Sequence, residues 1–489
     1  MMKTMRFAAV AVAMLGTDGL FASANDAMTN DPQVVMTSLS ARQRYPWNGK
    51  VDIDFSFTST IPEAFAFIQF KATYVDKTGA TVEVPMKTFD QVSLPWCTNA
   101  GAYRVTWDST ADAPNLVVTN LDYTVTANMA KYMVVDLSKG TAATADDPYP
   151  ITYMEECPDP TRTDGGWTDL YKTTNLVFRL IQPGTYMQAW SDDSSPTEAR
   201  RSAYRHSATI TKPFYMAVFE LTQEQMYLLK AFYGQSGIFT GGNRKARPTL
   251  ETYQNIRGKG YQGTINWPVT GSQVASGSLL QLLRTRTNTD GWDIPTESEW
   301  EYVCRSGGQA SGFWNDGCDS GISTKTKYST VSSTAPVVAL DQLGRYRYNG
   351  GYSVTFDEDG QTNIYATVAA SSDETHGTAV VGSYKPNAWG IYDMHGNVKE
   401  WCNGFIAGTY YGWSSGSDYY CNGEYPNMVD DLGPTTNPWG QWGARSHRGG
   451  AWNSPAYDCI ISRRMTDYER TAQGVRLVWR FPTPAQTQE

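Results

Sequence analysis

The chain has 489 residues with a formal net charge of −9; 40% of its residues are hydrophobic and 18% charged. That length exceeds what a single core organises, so two domains are expected, each rich enough in apolar residues to bury its own core. An acidic chain without a dense Lys/Arg run lacks the electrostatic footprint of a phosphate-backbone binder, so nucleic acid is excluded as a partner. The 30 Tyr, 16 Trp, 43 Gly and 24 Pro describe a loop-heavy fold pinned by large rings rather than by long helices.

Residues 1–24 read as a signal peptide. Lys3 and Arg6 precede the short apolar run Phe7–Gly16, and Ala22-Ser23-Ala24 offers a small-x-small cleavage site. The run is too short to span a bilayer as a mature helix, and no cysteine comes after it to carry a lipid. With no later segment apolar enough to cross, the mature chain is expected to be exported, periplasmic or extracellular, with no transmembrane segment. Seven cysteines remain: Cys97, Cys157, Cys304, Cys318, Cys402, Cys421 and Cys459. They can pair in an oxidising compartment, leaving at least one odd thiol. None forms a CxxC, which disfavours a zinc ribbon or a thioredoxin-type site.

Residues 30–145 alternate like strands. Val51–Phe57 sets Val51, Ile53, Phe55 and Phe57 on one face and polar residues on the other. Phe65–Val75 and Tyr103–Trp107 repeat the pattern, Tyr132–Val135 is β-rich, and turn residues such as Asp76–Gly79 separate the runs. Short strands at this spacing predict a β-sandwich of immunoglobulin or fibronectin type. Gly101–Asp108 is similar to the late strand of bacterial Ig-like modules. Cys97 and Cys157 are placed to tie this domain to the linker. The small, acidic, Pro-containing stretch Thr141–Pro150 reads as that linker, which is extended here over 146–174.

Beyond it, Leu176–Leu180 reads as a strand, and three helices announce themselves by capping boxes. Thr222 to Gln225 opens the run Met226–Phe232, with Gly234 as a stop. Ser278 to Gln281 opens a second, stopped near Gly291. Thr296 to Glu299 opens a third over Trp300–Arg305, stopped at Gly307-Gly308, and the acidic residues in its first turn suit the helix dipole. From Asp316 to Glu489 there is no sustained helical period. The whole is α+β.

Seven segments then occur in a fixed order: Lys212–Met216, Glu220–Gln223, Arg247-Pro248, Ile294–Tyr302, Pro386–Trp401, Arg448-Gly449-Gly450 and Gly474–Leu477. In this order they resemble the formylglycine-generating enzyme (sulfatase-modifying factor) family across residues 175–483. The resemblance implies a C-type-lectin-like fold of short twisted strands, few helices and long loops. It also implies an oxidase that converts a sulfatase cysteine to formylglycine with O2 and copper held by two cysteines, since soft thiolates suit Cu(I). Counted from Gly449-Gly450, those positions are Ser454 and Cys459. A hydroxyl is a poor Cu(I) ligand, so copper is not expected here. Neighbouring positions depart as well: Ala451 replaces the family's Ser, Pro455 its His, Asp458 its Tyr, and Lys399 an active-site Trp. Cys304 matches a family cysteine that bridges to this segment, so the resemblance implies a Cys304–Cys459 disulfide, which would remove the last candidate copper thiolate.

The resemblance also implies structural calcium. Asp393, Gly396, Val398 and Glu400 match one family site, two side chains with two carbonyls, as a hard cation requires. Asn349, Gly350, Asp373 and Thr375 match a second. Other chemistries fail on inventory. The four histidines, His206, His376, His395 and His447, make no HExxH and no HxxxHxE, and no GxSxG is present. His395 reads as a turn residue. The expectation is therefore an exported, non-catalytic family member. A groove near Trp401, Arg448, Ala451–Asp458 and Arg464 would bind an extended peptide or a glycan. The alternatives are an active oxidase using Cys459 and a ligand-diversified surface protein.

Overall fold

A computed structural model describes residues 33–45, 48–61, 65–94, 96–116, 118, 121–159, 166–188, 206–232, 244–258, 274–309, 314–315, 340–356, 362–367, 377–405, 428–430, 444–468 and 471–481. The signal-peptide reading, Cys318, Cys421, Asp373, Thr375 and His376 lie outside them. By their contacts the residues divide into two compact units, 1–131 with 153–155, and 132–152 with 156–489.

The first unit is a β-sandwich. Strands β1 (Val34–Gln43), β2 (Lys50–Ser59) and β6 (Gly101–Asp108) form one antiparallel sheet in the order β1-β2-β6. The other is built on β3 (Ala66–Val75), which pairs with β4 (Thr81–Val84), β5 (Trp96–Thr98) and β7 (Asp122–Met129). The alternation in β2 does what it promises: Val51, Ile53, Phe55 and Phe57 are all buried. Phe55 meets Phe70 of the opposite sheet edge-on at 5.7 Å. On the outer face Asp54 pairs with Arg104 at 2.5 Å. Cys97 is a free thiol.

The second unit gathers β8 (Tyr132–Asp136), the first half of β9 (Ile151–Met154), β10 (Asn175–Ile181), β11 (Gly184–Gln188), β12 (His206–Ile210), β13 (Phe214–Ala217), β14 (Glu251–Thr252) and β15 (Trp292–Asp293). Later in the chain come β16 (Tyr352–Phe356), β17 (Thr362–Thr367), β18 (Glu400–Phe405), β19 (Met428–Val429), β20 (Ala444–Arg448), β21 (Met465–Tyr468), β22 (Ala472–Gln473) and β23 (Val478–Arg480). Its largest sheet has the order β15-β23-β13-β10-β8-β9. Tyr132–Val135 therefore leaves the module to which its β-rich composition assigned it, pairing with β10 in register Asp136↔Asn175. Met133, Val134 and Val135 are buried in succession, the mark of a strand covered on both faces rather than of an outward-facing sandwich strand. The expected linker likewise contributes β9 to this sheet.

Three helices form where the caps lie. Gln223–Lys230 and Glu297–Cys304 have reciprocal capping boxes on Thr222–Gln225 and Thr296–Glu299. Leu279–Thr287 is capped by Ser278 alone, because the Gln281 side chain accepts from Gly277 instead. The helices that open at Thr222 and Ser278 end earlier than glycine placement suggested, Ala231 and Asn288 themselves taking the left-handed stop at φ 53° and 54°. Among the described residues no helix is long and apolar enough to cross a membrane.

Candidate functional site

The three-stranded sheet β18-β20-β21 and the turns leading into it hold most of the residues singled out in the sequence. At its head lies a buried ionic cluster. Glu400 is 1% exposed, and its two oxygens accept from Arg476 Nε at 3.0 and 2.9 Å, from Arg476 Nη2 at 2.6 Å and from Trp300 Nε1 at 2.6 Å. Arg476 is fixed in turn by the carbonyls of Ala217, Val218 and Tyr392. Asp393 sits in the left-handed region at φ 58° and accepts the Gly382 N–H at 2.7 Å through Oδ2, while its buried Oδ1 has no partner. Gly396, at φ 76°, is obligatory: a Cβ there would stand 2.0 Å from the Arg345 carbonyl oxygen.

The sequence reading missed Glu220 as a member of this cluster. Fully buried, it accepts from Asn397 Nδ2 at 2.6 Å and from the Val398 N–H at 3.2 Å. Its place in the Glu220–Gln223 segment was the only available signal. Burial raises the Glu220 carboxyl well above its ordinary range, and the nearby Asp393 and Glu400 carboxylates add to this. Burial pushes Asp393 up to about 6. Three carboxylates thus share one guanidinium in the buried interior, an excess of negative charge that favours a proton or a cation.

Asp393 fits a hard cation, since its orphaned Oδ1 is the donor such an ion would take. No three His, Cys, Asp or Glu side chains among the described residues converge as a metal-binding group, so an ion there would depend on backbone carbonyls such as those of Gly396 and Val398. At the second expected position, Asn349 spends its side chain locally, Oδ1 accepting from the Tyr346 N–H at 2.7 Å and Nδ2 donating to the Gly344 carbonyl at 2.8 Å. The Gly350 carbonyl accepts from Gly377.

A second network sits on the Glu297–Cys304 helix. Arg448, fully buried, donates to Glu297 at 2.9 Å, to Glu301 at 3.0 Å and to the Ile461 carbonyl at 3.0 Å. Arg464 grips the same Glu297 with both Nε and Nη2. These cations hold Glu297 down at about 2 against the upward push of burial. Trp401 is 0% exposed and donates to the Glu251 carbonyl at 2.9 Å. Trp401 and Arg448, expected to line a groove, are therefore core residues: neither side chain reaches the surface.

Most described residues of the 449–459 loop are buried. Ser454 is buried, its hydroxyl accepting the Ala451 N–H at 3.0 Å. Cys459 is 0% exposed, with its Sγ 3.7 Å from the Pro455 carbonyl oxygen, and burial pushes its thiol up, away from the thiolate form. A Cβ on Gly450 would stand 2.5 Å from that sulfur, so the backbone walls it in. The expected Cys304–Cys459 disulfide is not made: Cys304, Cys402 and Cys459 are separate, buried free thiols. Cys304 ends a helix packed against β18 and β20, whereas Cys459 turns toward its own loop. The loop is held from behind by His395. Asn315 donates its N–H to His395 Nε2 at 3.0 Å, so Nδ1 carries the proton and donates to the Cys459 carbonyl at 2.7 Å. The turn residue of the sequence reading is thus a buried clip. Asp458 pairs with Arg463 at 3.1 Å.

The second unit is an α+β scaffold of short strands, capped helices and loops pinned by buried arginine–carboxylate pairs. Residues 172–481 match the model of the sulfatase-modifying factor enzyme 1-like domain, and the chain belongs to that family. It is 25% identical over 262 residues to the protein described as "Chaperone protein LppX" of Paenibacillus barcinonensis, covering 46% of this chain and 79% of that one. It is 30% identical over 167 residues to the formylglycine-generating enzyme of Streptomyces coelicolor, covering 33% of this chain and 36% of that one. For the Thermomonospora curvata enzyme the figures are 29%, 33% and 39%. The matched region thus spans little more than a third of either enzyme's length. Among solved structures, Treponema denticola variable protein 1 aligns with a TM-score of 0.38 and 18% identity, covering 63% of this chain and 96% of that one. PvdO from Pseudomonas aeruginosa gives 0.36 and 20%, with coverages of 62% and 94%.

Proposed function

We propose that this chain is an exported, non-catalytic family member whose 449–459 loop binds a peptide or glycan. One observation carries the reading. Where the family enzyme needs two adjacent thiolates for monovalent copper, this loop has a hydroxyl committed to the Ala451 N–H and a single buried, protonated thiol. The competing reading, an oxidase that uses Cys459 in another arrangement, is decided by copper titration with a sulfatase-derived CxPxR peptide. The expected outcome is no stoichiometric Cu(I) binding and no loss of peptide thiol; turnover to the aldehyde would overturn the proposal.

Calcium at Asp393, with carbonyls of Gly396 and Val398, is proposed as a structural ion that offsets the surplus negative charge. Glu400 would join only by loosening its contact with Arg476. The N-terminal sandwich is proposed to be an Ig-like module that carries the binding domain.

A further inference from the structure

Residues 383–390 run along the surface between Gly382 and Ile391, with Ser383, Lys385 and Ala388 exposed and Tyr384 and Trp389 half-buried. Asn387 is buried and organises the loop. Its Oδ1 accepts the N–H groups of Trp389 and Ile391, each at 3.0 Å, and its Nδ2 donates to the Val303 carbonyl at 2.6 Å. Its own N–H donates to the Ile391 carbonyl at 2.9 Å. Lys385 ties the other arm to Gln342, donating its N–H to the carbonyl at 3.0 Å and its Nζ to Oε1 at 2.6 Å. A loop pinned at both arms by its own bonds pays little ordering cost when a ligand arrives. Trp389 itself is seated from the inside. Its ring meets Tyr302 edge-on at 5.3 Å. Gly307, in the left-handed region at φ 73°, approaches so closely that a Cβ there would stand 2.7 Å from Trp389 Cζ2. Tyr302 is buried and donates to the Gln182 carbonyl at 3.1 Å. The indole is thus a surface ring on a fixed seat.

The chemistry around the ring narrows the ligand. Lys385 is the one charged residue in 383–390, and its ammonium is held by Gln342, so the loop has no means of selecting an anion or a cation. A protein partner needs about 800 Å² of surface with large apolar anchors, yet no large apolar side chain of 377–404 is exposed. A neutral sugar asks for less. The carbon-bound hydrogens on one face of a pyranose carry slight positive charge and complement the negative face of an indole, and hydroxyls at the ring edge can meet an indole N–H.

We propose that the 383–390 loop is a binding site for a neutral glycan, one sugar ring of which stacks on Trp389. The site shares no residue with the 449–459 loop, so it goes beyond the reading given above and does not rest on it. The test titrates the full chain by calorimetry with three neutral hexasaccharides, built of glucose, of mannose and of N-acetylglucosamine. At least one is expected to bind saturably, with an affinity that holds as salt rises from about 50 mM to about 500 mM. W389A should weaken that binding about tenfold, the loss of one ring stack. K385Q should leave it unchanged, since no charge is recognised. Thermal melts show whether each variant is folded. Should W389A melt early, W389F carries the test, because it keeps a ring against Tyr302 while shortening the platform; it should weaken binding about threefold. Failure of all three sugars to bind, full affinity in a folded W389A or in W389F, or binding only of a sulfated hexasaccharide that salt abolishes would each overturn the proposal.

Discussion

Glu297 holds two arginines from one carboxylate, and its pKa lies at about 2 against an ordinary 4.5. A carboxylate depressed in the folded state stabilises above its unfolded pKa and loses that contribution as pH falls through its folded value. The window is therefore about pH 4.5 down to about 2, and the contribution is about 3 kcal/mol. E297Q should cost a comparable amount at pH 7 and flatten the acid limb of a stability-versus-pH curve, as measured by denaturant unfolding. Asp393 has the opposite sign. Raised to about 6 from 3.8, it binds its proton more tightly when folded, so stability falls as pH climbs through that range. D393N should raise the calcium-free melting temperature at pH 7. Added calcium should raise that of the wild-type chain and leave D393N unmoved; equal calcium responses would defeat the proposed ion site. His395 adds a third case: H395F removes both ring hydrogen bonds at a fully buried position and should cost about 2–4 kcal/mol in the same assay.

The two reciprocal capping boxes are local devices that can be ranked. T222A and T296A should each destabilise by about 1 kcal/mol. S278A should cost less, since its box lacks the returning Gln281 contact. Denaturant midpoints with unchanged slopes would check this order. These helix starts were legible because an N-cap acts within four residues, and β2 was legible because alternation needs no partner. The ends were not. Ala231 and Asn288 take left-handed φ values that composition reserves for glycine, which moved both stops inward. Tyr132–Val135 was misassigned because β-propensity says a segment is a strand without saying which sheet receives it. In the candidate site, sequence order brought the 393–400 turn and the 449–459 loop into view. It concealed Glu220, Arg476 and the clip role of His395, whose partners lie 64 to 259 residues away.

At the scale of the whole molecule, Cys304, Cys402 and Cys459 stay reduced in the folded chain with no exposed surface. Burial raises all three thiols. Maleimide labelling followed by peptide mapping should find them unmodified in native protein and fully modified in denaturant. Labelling of Cys459 without denaturant would show that the loop opens on its own. In an oxidising medium these sulfurs are protected only by the packing around them. A single excursion to the unfolded state releases three nucleophiles at once, free to form mispaired bridges that block the way back. The lifetime of this chain under such conditions is then set by how seldom it unfolds, so its half-life should follow the unfolding rate more closely than the equilibrium stability.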